Sequence, residues 1–278
     1  MRKIKIVSDS SSDVVSLQGI DYACAPMKIV TAQREFVDTP DMDVDEMAEF
    51  LYNYKGQSKS SCPNVNDWIE AFGDADDIFC ITITSGLSGS YNSACSAKDL
   101  YEAEHEGRRV FVLDSLSAGP EMALAIEKMQ ACIEGETSFE DTCATLNEYA
   151  KQTGLLFMLK SLKNFANNGR VSPAVAKIAG IMGICIVGKA SDEGTLEPLH
   201  KCRGEGRSLD AILGDMEAAG FKEGKVRIAH CQNPEGAERL KAMILEKHPA
   251  STVTIHKHRG LCSFYAEVGG VLVGYEKK

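Results

Sequence analysis

The sequence predicts an α/β protein of two domains, an N-terminal one on a parallel sheet (residues 1–154) and a C-terminal one with a mixed sheet (residues 155–278). Three observations predict it. Short apolar runs alternate with amphipathic segments through the first half, the pattern of βα units. Three of those runs end in small polar residues: Asp9-Ser10, Ser85 to Ser88 and Asp114-Ser115. After Gly154 the pattern changes to paired strands around a polar turn, which a purely parallel sheet does not use.

Ile4 to Ser8 reads as the first strand, running into Asp9-Ser10-Ser11-Ser12-Asp13. Tyr22 to Val30 and Arg34 to Val37 read as a strand pair. Val44, Met47, Ala48 and Leu51 recur at helical spacing and predict a helix to Tyr54. Lys59 to Asn64 reads as a loop, and Asn64 or Asn66 then caps a helix ending at Phe72. The strand from Ile78 breaks into Thr84-Ser85-Gly86-Leu87-Ser88-Gly89-Ser90, after which a helix runs to about Glu104. Val110 to Leu113 is the next strand. Proline at the first helical position and an acid behind it, Gly119-Pro120-Glu121, start a helix that reaches Ile133. A helix over Phe139 to Thr153 closes the first half.

In the second half, Leu155 to Leu159 is a strand and Asn167 to Arg170 a turn before an apolar helix over Pro173 to Met182. Strands follow at Ile184 to Gly188 and Thr195 to Lys201, then a helix from Ser208 to Ala219 and a strand from Val226 to His230. Asn233-Pro234-Glu235 opens a helix to Glu246, and strands at Thr252 to His256 and Gly270 to Tyr275 complete the chain.

Composition narrows the function. Apolar content of 44% with 25% charged residues suits a globular protein with a sizeable core. A formal net charge of −10 argues against a nucleic-acid partner, since neutralising phosphates needs a basic face. The ten cysteines are scattered through apolar runs without a C-x-x-C pair, so reduced, buried thiols are expected rather than zinc or disulfides. The first thirteen residues lack a signal-peptide pattern, and the most apolar window, Ile178 to Gly188, falls short of the about 20 residues that span a bilayer. A cytoplasmic location is expected.

The stretch Ile78 to Ala94 carries the clearest chemistry. A strand that stops in glycine and hydroxyl residues before a helix leaves free N–H groups at the positive end of the helix dipole, a place that holds phosphate or carboxylate. Gly86 and Gly89 let the backbone approach such an anion closely. Ser88 nearly matches the G-x-S-x-G nucleophile elbow, but the second glycine falls one place early. Asp114 and His258 follow it in Ser, Asp, His order, which keeps a serine esterase or thioesterase as the alternative; a phosphate-ester sensor is a third reading. His256 and His258, two apart, can face one side but lack a third metal ligand. Arg170 and Arg203, each in a glycine-bearing turn, suit carboxylate or phosphate. The apolar stretch Ile178 to Val187 can line an oily channel, although core is its commoner role.

Six segments, in order, resemble the DegV family of bacterial fatty-acid-binding proteins, the carrier subunits of fatty acid kinase. These are Val7 to Asp13, Ser60-Ser61-Cys62-Pro63, Ser85 to Tyr91, Leu162 to Val171, Lys201-Cys202-Arg203-Gly204 and His258-Arg259-Gly260. The resemblance implies two α/β domains with an acyl chain buried in a tunnel between them. It implies that Ser88, Gly89, Ser60 or Ser61, and a network reaching His258 hold the carboxylate, with Arg170 and Arg203 near the tunnel mouth or the kinase-docking face. It further implies no catalysis by this chain, no cofactor beyond the bound fatty acid, and a separate ATP-using kinase that makes an acyl phosphate for phospholipid synthesis. No Walker A loop or kinase signature occurs in the sequence. Three places depart from the family pattern: Cys62 for glutamine, Ala118 to Glu121 after Asp114-Ser115, and Leu261-Cys262 for Pro-Gly after the histidine.

Overall fold

The computed structural model describes residues 2–172, 175 and 183–277, so the expected helix over Pro173 to Met182 lies almost wholly outside the described residues. The first half contains β1 (Ile4–Asp9), β2 (Asp21–Ala25), β3 (Lys28–Val30), β4 (Glu35–Val37), α1 (Val44–Asn53), β5 (Lys59–Ser61), α2 (Val65–Phe72), β6 (Asp77–Thr82), α3 (Ser90–Glu104), β7 (Arg109–Asp114), α4 (Pro120–Glu134) and α5 (Phe139–Lys151). The second contains β8 (Thr153–Leu159), α6 (Lys163–Asn167), β9 (Ile184–Ala190), β10 (Leu196–Arg203), α7 (Glu205–Ala218), β11 (Lys225–His230), α8 (Pro234–Lys247), β12 (Thr252–Lys257), α9 (Gly260–Ala266) and β13 (Val271–Glu276).

The α/β expectation holds. Strands β2-β1-β6-β7 form a parallel four-stranded sheet, and β10-β9-β8-β13-β11-β12 form a mixed six-stranded one in which only β11 and β12 pair in parallel. The expected strand pair is present as β3 and β4, but with β5 it forms a separate small antiparallel sheet, β4-β3-β5. It arises because Pro26, which has no N–H to give a ladder, splits the expected Tyr22 to Val30 strand. The first piece joins the parallel sheet; the second pairs with β4 and with Lys59–Ser61, which is a strand rather than a loop.

Local chemistry sets the helix starts. Asn64 caps α2 in a capping box with Asp67, Pro120 stands at the first position of α4, and the Asn233 side chain accepts from Gly236 N at 3.1 Å to open α8. Helix α4 lies between the two large sheets, touching β1 and β6 on one side and β8, β11 and β13 on the other, and all of Pro120 to Ile126 is buried. Its Met122, Ile126 and Met129 pack with Ile6, Phe79 and Ile81, while α2 and α3 cover the opposite face of the parallel sheet. Helices α7 and α8 cover one face of the mixed sheet through Leu209, Leu213, Leu240 and Ile244. The other face looks back toward the parallel sheet.

Two glycines set how closely the halves meet. Gly194, at φ +71°, ends the β9–β10 turn, where a Cβ would overlap Thr84 Oγ1 and reach Leu116 Cα at 3.0 Å. A Cβ on Gly86 would stand 2.6 Å from Glu193 O. Gly86 therefore serves a backbone contact between the halves, not the approach of an anion that its place in the motif suggests.

Candidate functional site

The three polar strand ends singled out in the sequence belong to β1, β6 and β7, which are neighbours in the sheet, and side chains lock them together. Asp9 is fully buried at the end of β1. Its carboxylate accepts from Ile83 N at 2.9 Å, Ser90 Oγ at 2.6 Å and Ser11 N at 3.2 Å, and from the Ser11 hydroxyl. Burial pushes its pKa up, against the pull of those donors. Asp114 Oδ1 accepts from Ser85 N and Leu116 N, both at 3.1 Å, so it shapes the turn after β6.

That turn delivers the start of α3. Ser88 Oγ accepts from Ser90 N at 3.3 Å, while Gly89, at the helix cap, makes no side-chain cap. The first turn of α3 carries no acidic residue, whereas α1, α2, α4, α5, α7 and α8 each carry at least one. An uncompensated helix N-terminus of fifteen residues attracts an anion through its dipole and free N–H groups.

The start of α3 opens on a cavity of about 320 Å³ between the two large sheets, within the roughly 300–1,000 Å³ of small-molecule sites. Its lining is mostly apolar, with Thr84, Ser117, Lys189 and Thr195 among its polar members. Leu155, Phe157 and Leu159, alternate residues of β8, line it with Leu272 of β13, and Ile83 and Leu261 face them. One end is polar, with Ser60, Ser61, Ser88, Gly89 and Arg170 all on the lining. Arg170 Nε donates to Leu87 O at 3.0 Å, so the guanidinium grips the turn that carries Ser88.

The remaining sequence candidates stand elsewhere. Arg203, at the end of β10, is exposed and outside the lining. His258 is buried and also outside it; its Nδ1 lies 2.6 Å from Asp13 Oδ2, and its Nε2 has no hydrogen-bond partner among the described residues. Cys262, which does line the cavity, places its Sγ within 4.8 Å of both groups and donates to Ser11 O at 3.2 Å. Burial raises this thiol well above its ordinary pKa, which keeps it a neutral donor. Two tetrahedral metal ligands at about 2.0–2.2 Å from one ion would stand over 3 Å apart, so the 2.6 Å Asp13–His258 contact is a hydrogen bond rather than half of a metal site. His256 turns away, its Nε2 3.1 Å from Arg227. The Ser88, His258 and Asp114 order does not assemble a relay: the histidine pairs with Asp13, and Ser88 Oγ is held by a backbone N–H. Of the expected channel segment Ile178 to Val187, the described part begins at Gly183 and enters β9, where Cys185 and Val187 face α7.

Two of the departures have structural uses. Leu261 N donates to Asp38 Oδ2 at 2.9 Å, a bond that a proline there would lack. Cys62 stands against Gly89, with Sγ 3.4 Å from where a Cβ would sit. Tyr265 and Asn168, to which the sequence assigns no role, both contact Ser60. Tyr265 lines the cavity with its hydroxyl 2.6 Å from Ser60 Oγ, and Asn168 Oδ1 accepts from Ser60 N at 3.1 Å. The one available signal was a tyrosine inside the apolar run after His258, a residue type with an apolar body and a polar tip.

Comparison with known proteins places this geometry. The family model described as "Uncharacterised protein, DegV family" matches residues 3–278. A DegV domain-containing protein of Streptococcus pneumoniae is 40% identical over 276 residues, covering 98% of both chains. Among solved structures, a DegV family protein from Eubacterium eligens loaded with heptadecanoic acid superposes with a TM-score of 0.97 at 41% identity, over 99% of this chain and 100% of that one. The fatty acid kinase B3 protein of Streptococcus pneumoniae loaded with linoleic acid does so with a TM-score of 0.97 at 39% identity, over the same shares.

Proposed function

The chain belongs to the DegV family, and from that premise we propose that it is a carrier that binds a long-chain fatty acid in the cavity between its sheets and presents the carboxylate to a separate ATP-dependent kinase subunit. The observation that carries the proposal is the cavity itself, mostly apolar in its lining and bearing the hydroxyls of Ser60, Ser61 and Ser88 beside a helix N-terminus. The two structural neighbours near 40% identity hold heptadecanoic and linoleic acid.

The two parts of the cavity supply different terms. Each buried CH₂ contributes about 0.8 kcal/mol, so the apolar sides give affinity for an acyl chain. The hydroxyls of Ser60, Ser61 and Ser88 with the Gly89 N–H give orientation, since a carboxylate accepts hydrogen bonds and donates none. His258 acts from behind, through the wall at Cys262, and Arg170 fixes the Ser88 turn. Arg203 falls to the docking face for the kinase. The domains we propose are residues 1–154, which bring Ser60, Ser61, Ser88 and Gly89, and 155–278, which bring Arg170 and most of the apolar lining, with the boundary at the start of β8. In the kinase step a carboxylate oxygen attacks the γ-phosphorus of ATP and ADP leaves, giving the acyl phosphate. The carrier makes and breaks no bond.

Native mass spectrometry and lipid extraction of the purified protein test the binding. If no fatty acid co-purifies and added fatty acid does not bind, the proposal fails. Adding a fatty acid kinase subunit, ATP and hydroxylamine tests presentation: a fatty hydroxamate that depends on this chain is expected, and its absence with a fatty-acid-loaded carrier would remove the kinase role. A fluorophosphonate should leave Ser88 unlabelled.

A further inference from the structure

Ser60 is held from two directions by the other half of the chain. Asn168 Oδ1 takes the backbone N–H of Ser60 at 3.1 Å, while the amide nitrogen of the same side chain donates to Ser58 O at 3.2 Å and Asn164 O at 2.9 Å. Oxygen and nitrogen of that amide are thus both engaged, and β5 is fixed against α6. The hydroxyl of Ser60 lies 2.6 Å from Tyr265 OH. The Tyr265 ring is packed in turn, with centroids 4.6 Å from Phe165 and 4.9 Å from Phe264, so the phenol oxygen is fixed in place.

Counting protons gives this pair a direction. Two hydroxyls that share one hydrogen bond use one proton between them and keep one for a third group. The phenol, with an ordinary pKa of about 10, is a far stronger acid than an alcohol and the better donor. Tyr265 therefore donates to Ser60, and the free proton is that of Ser60, at the polar end of the cavity. A hydroxyl that accepts while it donates is polarised and donates more strongly. An acceptor-only anion is the partner this arrangement suits; an ester or an alcohol uses it less well.

We infer that Tyr265 and Asn168 are positioning residues that set Ser60 as a hydrogen-bond donor to the anionic head group, Asn168 by fixing the strand and Tyr265 by fixing the hydroxyl. The inference rests on the fatty-acid reading and adds two residues to its head-group site. Both come from the second half of the chain, which also supplies Arg170 and most of the apolar lining.

The test measures binding of oleate and of methyl oleate to the wild type, Tyr265→Phe, Ser60→Ala, the double variant and Asn168→Ala. Tyr265→Phe keeps the ring and should weaken oleate by up to about tenfold, the limit being the worth of the one hydrogen bond that Ser60 gives to a charged group, with methyl oleate unchanged. The double variant should bind oleate no more weakly than Ser60→Ala alone, because both changes remove one unit. Asn168→Ala should lower the same acid-to-ester ratio. A general loss of structure would lower both ligands together and leave the ratio alone, and if Asn168→Ala does not fold, the Tyr265→Phe ratio still decides. A wild-type ratio in Tyr265→Phe, or additive losses in the double variant, overturns the inference while leaving the fatty-acid reading intact. Failure of the wild type to bind oleate overturns both.

Discussion

The parallel sheet meets the cavity with its strand ends, and the mixed sheet meets it with a face. At the ends of β1, β6 and β7 the backbone leaves its ladder, so N–H groups need new acceptors, and the carboxylates of Asp9 and Asp114 supply them. On the face of the mixed sheet the strands pair with one another, and alternate side chains Leu155, Phe157 and Leu159 present hydrocarbon, with Lys189 of β9 also on the lining. On the proposed reading, the end recognises and the face solvates. An amphiphile with one charged group needs one of each, and α4, lodged between the sheets, holds the two at a fixed separation.

The contrast is broken most severely at Asp9. Asp9→Ala leaves the donors of Ser11, Ser90 and Ile83 without their acceptor in a buried place, and a loss of about 3 kcal/mol or more is expected in urea unfolding. A loss below about 1 kcal/mol would mean that the polar end does not hold itself together through this carboxylate. On the face, Leu272→Trp should fill the cavity and reduce fatty-acid affinity by about a hundredfold or more, since several CH₂ groups lose their place. Its thermal stability should stay near that of the wild type, and unchanged affinity would move the acyl chain elsewhere.

Ser88→Ala is the milder polar counterpart. It should weaken a fatty acid about tenfold without altering methyl ester binding, and cost about 1 kcal/mol of stability through the lost bond to Ser90 N. Equal weakening of acid and ester would take Ser88 out of the head-group site.

The smallest effects concern pH and separate two acids of α4. Burial pushes Glu121 up, although Ser117 and Thr153 donate to it. Burial also opposes ionisation of Glu127, but Arg227 and Lys225 outweigh it and hold that carboxyl below its usual range. The signs are opposite. A raised folded pKa means that the folded state keeps a proton the unfolded chain releases, so stability falls as pH rises from the ordinary value of 4.5 through the folded one. Glu121→Gln should remove that fall and gain on the wild type as pH rises. For Glu127, stability is present above 4.5 and is lost as pH falls through the lowered value, so Glu127→Gln should be the weaker protein at neutral pH and converge with the wild type in acid. Urea midpoints at several pH values check both; parallel profiles for the two variants would contradict the assignment.

Legibility in the sequence followed the range of the interactions. The strand ends at Asp9, Ser85 to Ser88 and Asp114 were readable because each lies within one βα unit, and Pro120 and Asn64 announced their helices locally. Helix α9 was not readable. Six of its seven residues are buried, so it shows no polar face, and its first N–H groups are capped by Asp38, more than two hundred residues earlier. The same distance hides the Asp13–His258 pair and the Ser60–Tyr265 contact. Gly86 was assigned to a ligand because its real neighbour, Glu193 in the β9–β10 turn, is a tertiary contact. Local chemistry marked the end that recognises; only the fold marks what holds it in place.

The central claim is that one molecule spans the end and the face, and the position of a bound fatty acid tests it most directly. A crystal structure with oleate should show the carboxylate within hydrogen-bond distance of Ser60, Ser88 and Gly89, and the chain running between Phe157, Leu159 and Leu272. A chain in the reverse sense, with its methyl end at Ser88, or a fatty acid outside this cavity would contradict the account.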